Sequence, residues 1–161
     1  MDRNRGGGLN YYNRRTREFK WYRPQEGRNS ISHNNVKALY YDADKEIIWI
    51  GTHLGGLNKL DIRSGHFTHY RMEEGNPNTL PSDIIRDIIP YKSLLIIATQ
   101  NGVCLFDPAN GQCQQLFKDS KEGKSIKMVA DVTFDSEGTL WIAATGEGVF
   151  SYRFDTCRLT N

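Results

Sequence analysis

The feature that most constrains this chain is a period. Trp49-Ile-Gly-Thr-His-Leu-Gly-Gly-Leu57, Leu95-Ile-Ile-Ala-Thr-Gln-Asn-Gly-Val103 and Trp141-Ile-Ala-Ala-Thr-Gly-Glu-Gly-Val149 align without a gap, and the step is 46 residues both times. Leu60-Asp61 and Phe106-Asp107 keep that interval, as do Gly65 and Gly111. Upstream, Val36–Asp42 pairs with Ile85–Tyr91 and Val129–Asp135, and a partial copy opens the chain, where Gly7-Gly-Leu-Asn10 anticipates Gly55-Gly-Leu-Asn58. A period of this size means stacked copies of one small supersecondary unit.

Each unit reads as four short strands. The runs near 36–41, 47–52, 56–61 and 66–71 are five to seven residues long, rich in β-branched and aromatic residues, and bounded by Gly, Asp, Asn and Ser. No window sustains a helical stripe, so essentially no helix is expected. The second strand, Ile47-Ile-Trp-Ile50 or Leu94-Leu-Ile-Ile97, is continuously apolar. Such a strand needs cover on both faces, as a sheet between two neighbouring sheets has. Four strands per unit and a 46-residue repeat predict an all-β fold, a partial β-propeller of about three and a half four-stranded blades. The divisions expected are a half blade over 6–32, blades over 33–81 and 82–126, and a last blade over 127–161 that need not be complete.

The repeat residues are read first as structural. Gly56, Gly102 and Gly148 open the third strand, where glycine permits positive φ or close backbone approach. Asp42 and Asp135 sit at hairpin entries, where a carboxylate accepts backbone N–H bonds. Trp49, Leu95 and Trp141 are expected at equivalent buried positions between sheets.

Composition removes several functions. Lys plus Arg exceed Asp plus Glu by only two, too little to argue for nucleic acid or an anionic membrane as partner. The basic, aromatic stretch Arg14–Arg23 is better placed on a solvated edge strand. The longest apolar run, Leu94–Ala98, is far too short to span a membrane, and Met1–Gly8 has no signal-peptide core. Cys104, Cys113 and Cys157 are odd in number, irregularly spaced and in strand-like stretches, where free cysteine acts as a small hydrophobe.

Catalytic and metal motifs fail on inspection. Gly123-Lys-Ser125 has Lys118 where a phosphate loop needs its leading glycine. Asp42-Ala-Asp44-Lys-Glu46 begins like a calcium loop, but Ile47 and His53 occupy the positions of its glycine and terminal glutamate. His66 and His69 fall on opposite faces of a strand. No catalytic residue, metal site or cofactor is therefore expected.

Three segments together resemble a known family: Asp135–Ile142 (Asp-x-x-Gly-x-Leu-Trp-Ile), Trp49–Leu57 and Asn78-Thr-Leu-Pro-Ser-Asp83. They are similar to the two-component regulator propeller repeat, found in tandem in the extracytoplasmic sensor region of bacterial hybrid sensor histidine kinases. The resemblance runs from about Gly6 onward. It departs at Leu95-Ile-Ile-Ala98 and Asn101 in the middle unit, and at Ala143, Ala144 and Glu147 in the last. It implies a non-catalytic piece of a periplasmic sensor, many of whose relatives respond to oligosaccharides. The kinase would lie elsewhere in a longer protein, of which this chain reads as a fragment or truncated product. The alternatives are a propeller lyase or hydrolase, with charged groups converging on the central channel, and a protein-interaction scaffold.

In a propeller, the loops joining strands two and three gather on one face with those joining strand four to the next strand one. Here these are 2–5, 52–55, 98–101 and 144–147, with 24–35, 73–83 and 118–127. They offer Arg3, Arg5, His33, Asn34, His53, Gln100, Asn101 and Glu147 as candidate ligand-binding residues, planar polar groups suited to sugar hydroxyls. The partners expected are an oligosaccharide, and either further blades or another copy of the chain against the open blade faces.

Overall fold

The structure is a computed structural model and describes residues 7–118 and 126–161. Among the described residues every regular element is a strand. A hairpin of β1 (Leu9–Asn13) and β2 (Glu18–Tyr22) is followed by three four-stranded antiparallel sheets. The first contains β3 (Val36–Asp42), β4 (Ile47–Thr52), β5 (Leu57–Asp61) and β6 (Phe67–Tyr70). β7 (Ile85–Tyr91), β8 (Leu94–Thr99), β9 (Gly102–Phe106) and β10 (Cys113–Gln115) make the second. The third comprises β11 (Val129–Phe134), β12 (Leu140–Ala144), β13 (Gly148–Arg153) and β14 (Arg158–Thr160). Each sheet is a simple meander, and the chain is a partial β-propeller.

Local chemistry repeats with the strands. The turn after β5 closes with Gly65 N–H donating to the Asp61 carbonyl at 2.8 Å, while Ser64 N–H donates to Asp61 Oδ1 at 2.8 Å. Asp107 and Gly111 rebuild that turn after β9, with Gly111 N–H on the Asp107 carbonyl at 2.8 Å. Asn13 and Arg17 do the same after β1, again at 2.8 Å. At the Gly-Gly-Leu step Gly56 has φ +69°, and a Cβ there would stand 2.3 Å from the Tyr70 carbonyl oxygen. Both readings of that glycine, left-handed backbone and close approach, therefore hold together. Each first strand also carries a bulge, at Val36/Ala38, Ile85/Asp87 and Val129/Asp131.

The core lies in the seams between sheets. Ile50, Leu60 and Phe67 face the hairpin and pack with Leu9 and Ile31. Trp49 and Leu57 face the other way and meet Leu95, Ile97 and Phe106 of the second sheet. Ile96, Ala98 and Val103 pack on Leu140, Ile142 and Phe150 of the third. The doubly apolar second strand is thus explained: β4 and β8 each serve two seams. The connections into β3, β7 and β11 each drop one apolar side chain into a seam: Ile31, Leu80 and Ile126, all nearly inaccessible.

Two expectations about the seams are corrected. Leu95 is buried but is not the counterpart of Trp49. Tyr40, Trp49 and Lys59 lie abreast in the first sheet; their counterparts in the second are Ile89, Ile96 and Leu105. Thr52 and Thr99 each donate Oγ1 to the carbonyl of the strand-three glycine, Gly56 and Gly102, at 2.9 Å. That connection is four residues in the first sheet and three in the second. A one-residue difference turns each side chain to the opposite face. Leu95 therefore points back toward the first sheet and Ile96 forward to the third.

Trp141 does share the register of Trp49, lying between Thr133 and Ser151. Yet it is 42% exposed where Trp49 is 1% exposed. No sheet among the described residues lies against its face. Asp135 accepts from its indole Nε1 at 2.9 Å and from the Glu137 and Thr139 amides, each at 2.9 Å. Cys104 and Cys113 are buried apolar fillers as expected, whereas Cys157 lies in an exposed turn at φ +53°.

Candidate functional site

Antiparallel meanders place the connections β2–β3, β4–β5, β6–β7, β8–β9 and β12–β13 at one end of the sheets, and backbone hydrogen bonds stitch that end together. His53 N–H donates to the Asn35 carbonyl at 2.8 Å, and His53 also forms an isolated bridge with Ile84 of the next sheet. Gln100 N–H donates to the Ile84 carbonyl at 3.0 Å, and Met128 N–H to the Gln100 carbonyl at 2.7 Å. Thr145 N–H closes on the Met128 carbonyl at 3.1 Å. The links form a chain that crosses both seams between the four-stranded sheets. His53, Gln100 and Thr145 hold one repeated position in it, so their side chains are carried on a braced backbone.

His33, Asn34 and His53 come together at this end of the first four-stranded sheet. Burial pulls the His33 imidazole below its ordinary pKa, and the nearby His53 and Arg71 act in the same direction. His33 is therefore neutral at pH 7, with Nδ1 accepting the Asn35 amide at 3.1 Å. Beside it Arg71 faces Asp83 at 3.6 Å, and Asp83 accepts the Met72 amide at 2.8 Å.

Asn34 is the counterpart of Asp83. Its carbonyl takes the Gly8 amide at 2.9 Å, as the Asp83 carbonyl takes that of Gly56 at 2.9 Å. Its Oδ1, however, is buried without a partner among the described residues, as is Nδ1 of His53. The reason for Asn34 lies in the sequence. The residue in the place of Met72 is Pro24, which has no N–H to give.

The remaining candidates are dispersed. Gln100 is half-buried one seam away. Asn101 is committed to bracing: its N–H donates to Thr99 Oγ1 at 3.1 Å, its Nδ2 to the Pro81 carbonyl at 3.3 Å, and its carbonyl accepts Gln115 Nε2 at 3.2 Å. Glu147 is exposed on the third sheet's loop, two residues beyond the position shared by His53 and Gln100. Arg3 and Arg5 lie outside the described residues.

Two features of this end escaped sequence reasoning. Arg71 is one; its signal was the repeated Tyr22-Arg23 and Tyr70-Arg71 at the ends of β2 and β6. The other is an open groove of about 710 Å³ beside Asn101, lined by Glu73, Asn76, Thr79, Pro81, Gln115 and Lys118 among others. Its wall is held by Glu73 N–H on Thr79 Oγ1 at 3.0 Å and Asn76 Nδ2 on Glu73 Oε2 at 2.8 Å. The end as a whole presents amides, imidazoles and paired charges, groups that bind hydroxyls and small polar ligands. No group of three or more metal-ligating side chains occurs among the described residues.

These features define a class, a partial propeller whose polar loops are gathered at one end. Within that class, residues 30–53 match the two component regulator propeller family model, in accord with the resemblance carried by Trp49–Leu57. The structure is similar to the extracellular domain of the hybrid two component system BT3049 of B. thetaiotaomicron, at TM-score 0.77 and 25% identity, over 97% of this chain and 20% of that one. The extracellular domain of the one component system BT4673 of the same organism shares the fold, at TM-score 0.74 and 23% identity, over 96% of this chain and 21% of that one. The chain thus spans about a fifth of the length of the solved structures it matches. A search of curated protein sequences gives no match.

Proposed function

We propose that this chain is a non-catalytic, ligand-sensing portion of the periplasmic region of a two-component sensor, and that its ligand is an oligosaccharide. The observation that carries the reading is the likeness over 97% of the chain to the extracellular domain of a hybrid two component system. Supporting it, the candidate residues are amides and imidazoles on loops of a braced scaffold, where binding residues are commonly set. His33, His53 and Arg71 supply the polar cluster at this end of the first four-stranded sheet, and Gln100 extends it toward the second.

The test is calorimetric titration of the chain, and of the intact sensor, with a panel of neutral and acidic oligosaccharides. Replacing His53 and Gln100 together by Ala is expected to remove binding while leaving the thermal midpoint unchanged, because both residues contribute to the seams through their backbones. Binding that survives the double replacement moves the site away from this end.

A further inference from the structure

The three four-stranded sheets meet along their first strands. Each first strand is an edge of its sheet, and β7 lies between β3 and β11, in contact with both. The bulge falls at the same place in all three, next to the pairs Val36 with Thr52, Ile85 with Thr99 and Val129 with Ala144. The residue left outside the pairing is Lys37, Arg86 and Ala130 in turn. Bulges recur beside functional sites, where they re-aim a side chain. These three lie at the polar end. Ile84, two residues before Arg86, forms the bridge with His53 and accepts the Gln100 amide at 3.0 Å.

Arg86 is half-buried and Lys37 is exposed. Neither side chain makes an ion pair or a hydrogen bond among the described residues. The carboxylates nearest to Arg86 in sequence are committed elsewhere. Asp83 faces Arg71 at 3.6 Å and takes the Met72 amide at 2.8 Å. Asp87 takes the Ile88 amide at 2.8 Å and reaches across to that of Val132 at 3.3 Å. Burial and the Asp131 carboxyl hold Asp87 above the usual carboxylate range. A guanidinium paired with it would do the reverse. Both strands that flank β7 belong to this chain, so Arg86 does not wait on a further sheet for cover.

We propose that Arg86, assisted by Lys37 at the equivalent position of β3, receives an anionic group of the ligand, a carboxylate or a sulfate, so that the oligosaccharide bound at this end is an acidic one. The inference rests on the oligosaccharide-sensing reading and narrows it. A guanidinium presents planar, paired N–H donors that match an oxyanion two bonds at a time. A half-buried charge is also screened less than an exposed one. Lys37 adds a second positive charge without that geometry, and His53 and Gln100 are left to address hydroxyls.

Calorimetric titration of the full chain tests it, with digalacturonate and sulfated lactose compared against plain lactose, and inorganic sulfate titrated separately. The acidic sugars are expected to bind at least about tenfold more tightly than lactose, by a margin that shrinks as salt is raised. Arg86→Gln, checked for an unchanged thermal midpoint, is expected to remove most of that margin and Arg86→Lys to restore part of it. Lys37→Gln is expected to remove a smaller share. Lactose binding as tightly as the acidic sugars overturns the proposal and leaves the oligosaccharide reading standing. An acidic preference that survives Arg86→Gln and Lys37→Gln combined does the same. Sulfate binding that Arg86→Gln abolishes, with no sugar bound, upholds the anion site and overturns the oligosaccharide reading instead. Failure of every probe to bind overturns both.

Discussion

Trp49 and Trp141 hold the same register position in two sheets of one chain, and the molecule treats them oppositely. Trp49 is sealed against Phe106 and Tyr70, with centroids at 5.3 and 6.0 Å. Trp141 faces outward, its indole nitrogen held by the Asp135 carboxylate. The repeat decides which way each ring points; a neighbouring sheet decides whether it is buried. The energetic content of a repeat residue therefore belongs to the seam.

The largest expected effect follows directly. Trp49→Ala should cost about 3–5 kcal/mol, the lost transfer energy plus a cavity that Phe106 and Leu57 do not fill. Trp141→Ala, measured on dilute protein, should stay within about 1 kcal/mol, because little contact is removed. Urea denaturation of both variants gives the comparison. Equal losses would mean that register, rather than cover, sets the energy.

Glycines sharpen the same distinction between a closed position and an open one. Gly56→Ala forces a Cβ toward the Tyr70 carbonyl at a positive φ, whereas Gly65 has φ +69° and nothing within 4 Å of its Cβ position. Left-handed backbone alone costs about 1–2 kcal/mol for an L-residue. Gly65→Ala should show that cost and no more, and Gly56→Ala should exceed it in the same denaturation experiment.

Those two glycines also show how much of the molecule the sequence made legible. Gly-Gly-Leu steps, Asp-to-Gly turns and doubly apolar second strands give the sheets almost strand for strand, because each is a local requirement of backbone or burial. The counterpart of Trp49 in the second sheet was not legible. Counting from Trp49 to Leu95 spans 46 residues, but the turn joining β7 to β8 and the loop joining β8 to β9 are shorter than their first-sheet equivalents. The total hides how those differences are distributed among the loops. At the candidate site, the convergence of His33, Asn34 and His53 followed from topology. The bracing role of Asn101 did not, since it depends on where the Pro81 carbonyl and the Gln115 amide come to rest.

The seam between the second and third four-stranded sheets offers a pH test. Asp87 and Asp131 stand at equivalent bulge positions of β7 and β11, and Asp87 Oδ2 reaches across to the Val132 amide at 3.3 Å. Burial raises the Asp87 carboxyl above the usual range, and its hydrogen bond with Asp131 raises it further. A carboxyl whose folded pKa is raised stabilises the fold at low pH, and that contribution is lost as pH rises through the folded value. Asp87→Asn keeps a hydrogen-bonding group without the charge. The thermal midpoint of the variant relative to wild type should therefore climb as pH rises above the ordinary carboxylate value of about 4. A flat difference would mean that the two carboxyls do not share a proton. His33, held below its ordinary pKa, has the opposite sign: it costs stability as pH falls through about 6.5, so the experiment is best repeated with His33→Gln in both backgrounds.

The smallest effect distinguishes the seam between the hairpin and the first four-stranded sheet from the seam between the first and second four-stranded sheets. Asp83 receives the Met72 amide at 2.8 Å, while Asn34 Oδ1, in the corresponding place, is buried opposite Pro24 and receives nothing from the described residues. Pro24→Ala supplies the missing N–H, a hydrogen bond worth about 0.5–1.5 kcal/mol. The same change frees the unfolded chain and costs about 0.4–1 kcal/mol. The two terms nearly cancel, so stability should move by less than about 1 kcal/mol in either direction. Hydrogen exchange separates them where a melting curve cannot. The new amide at position 24 should exchange as slowly as that of Met72, because both would be tied to the loop that leads into the next first strand. Rapid exchange at position 24 would show that Asn34 does not do for the hairpin's seam what Asp83 does for the seam between the first and second four-stranded sheets.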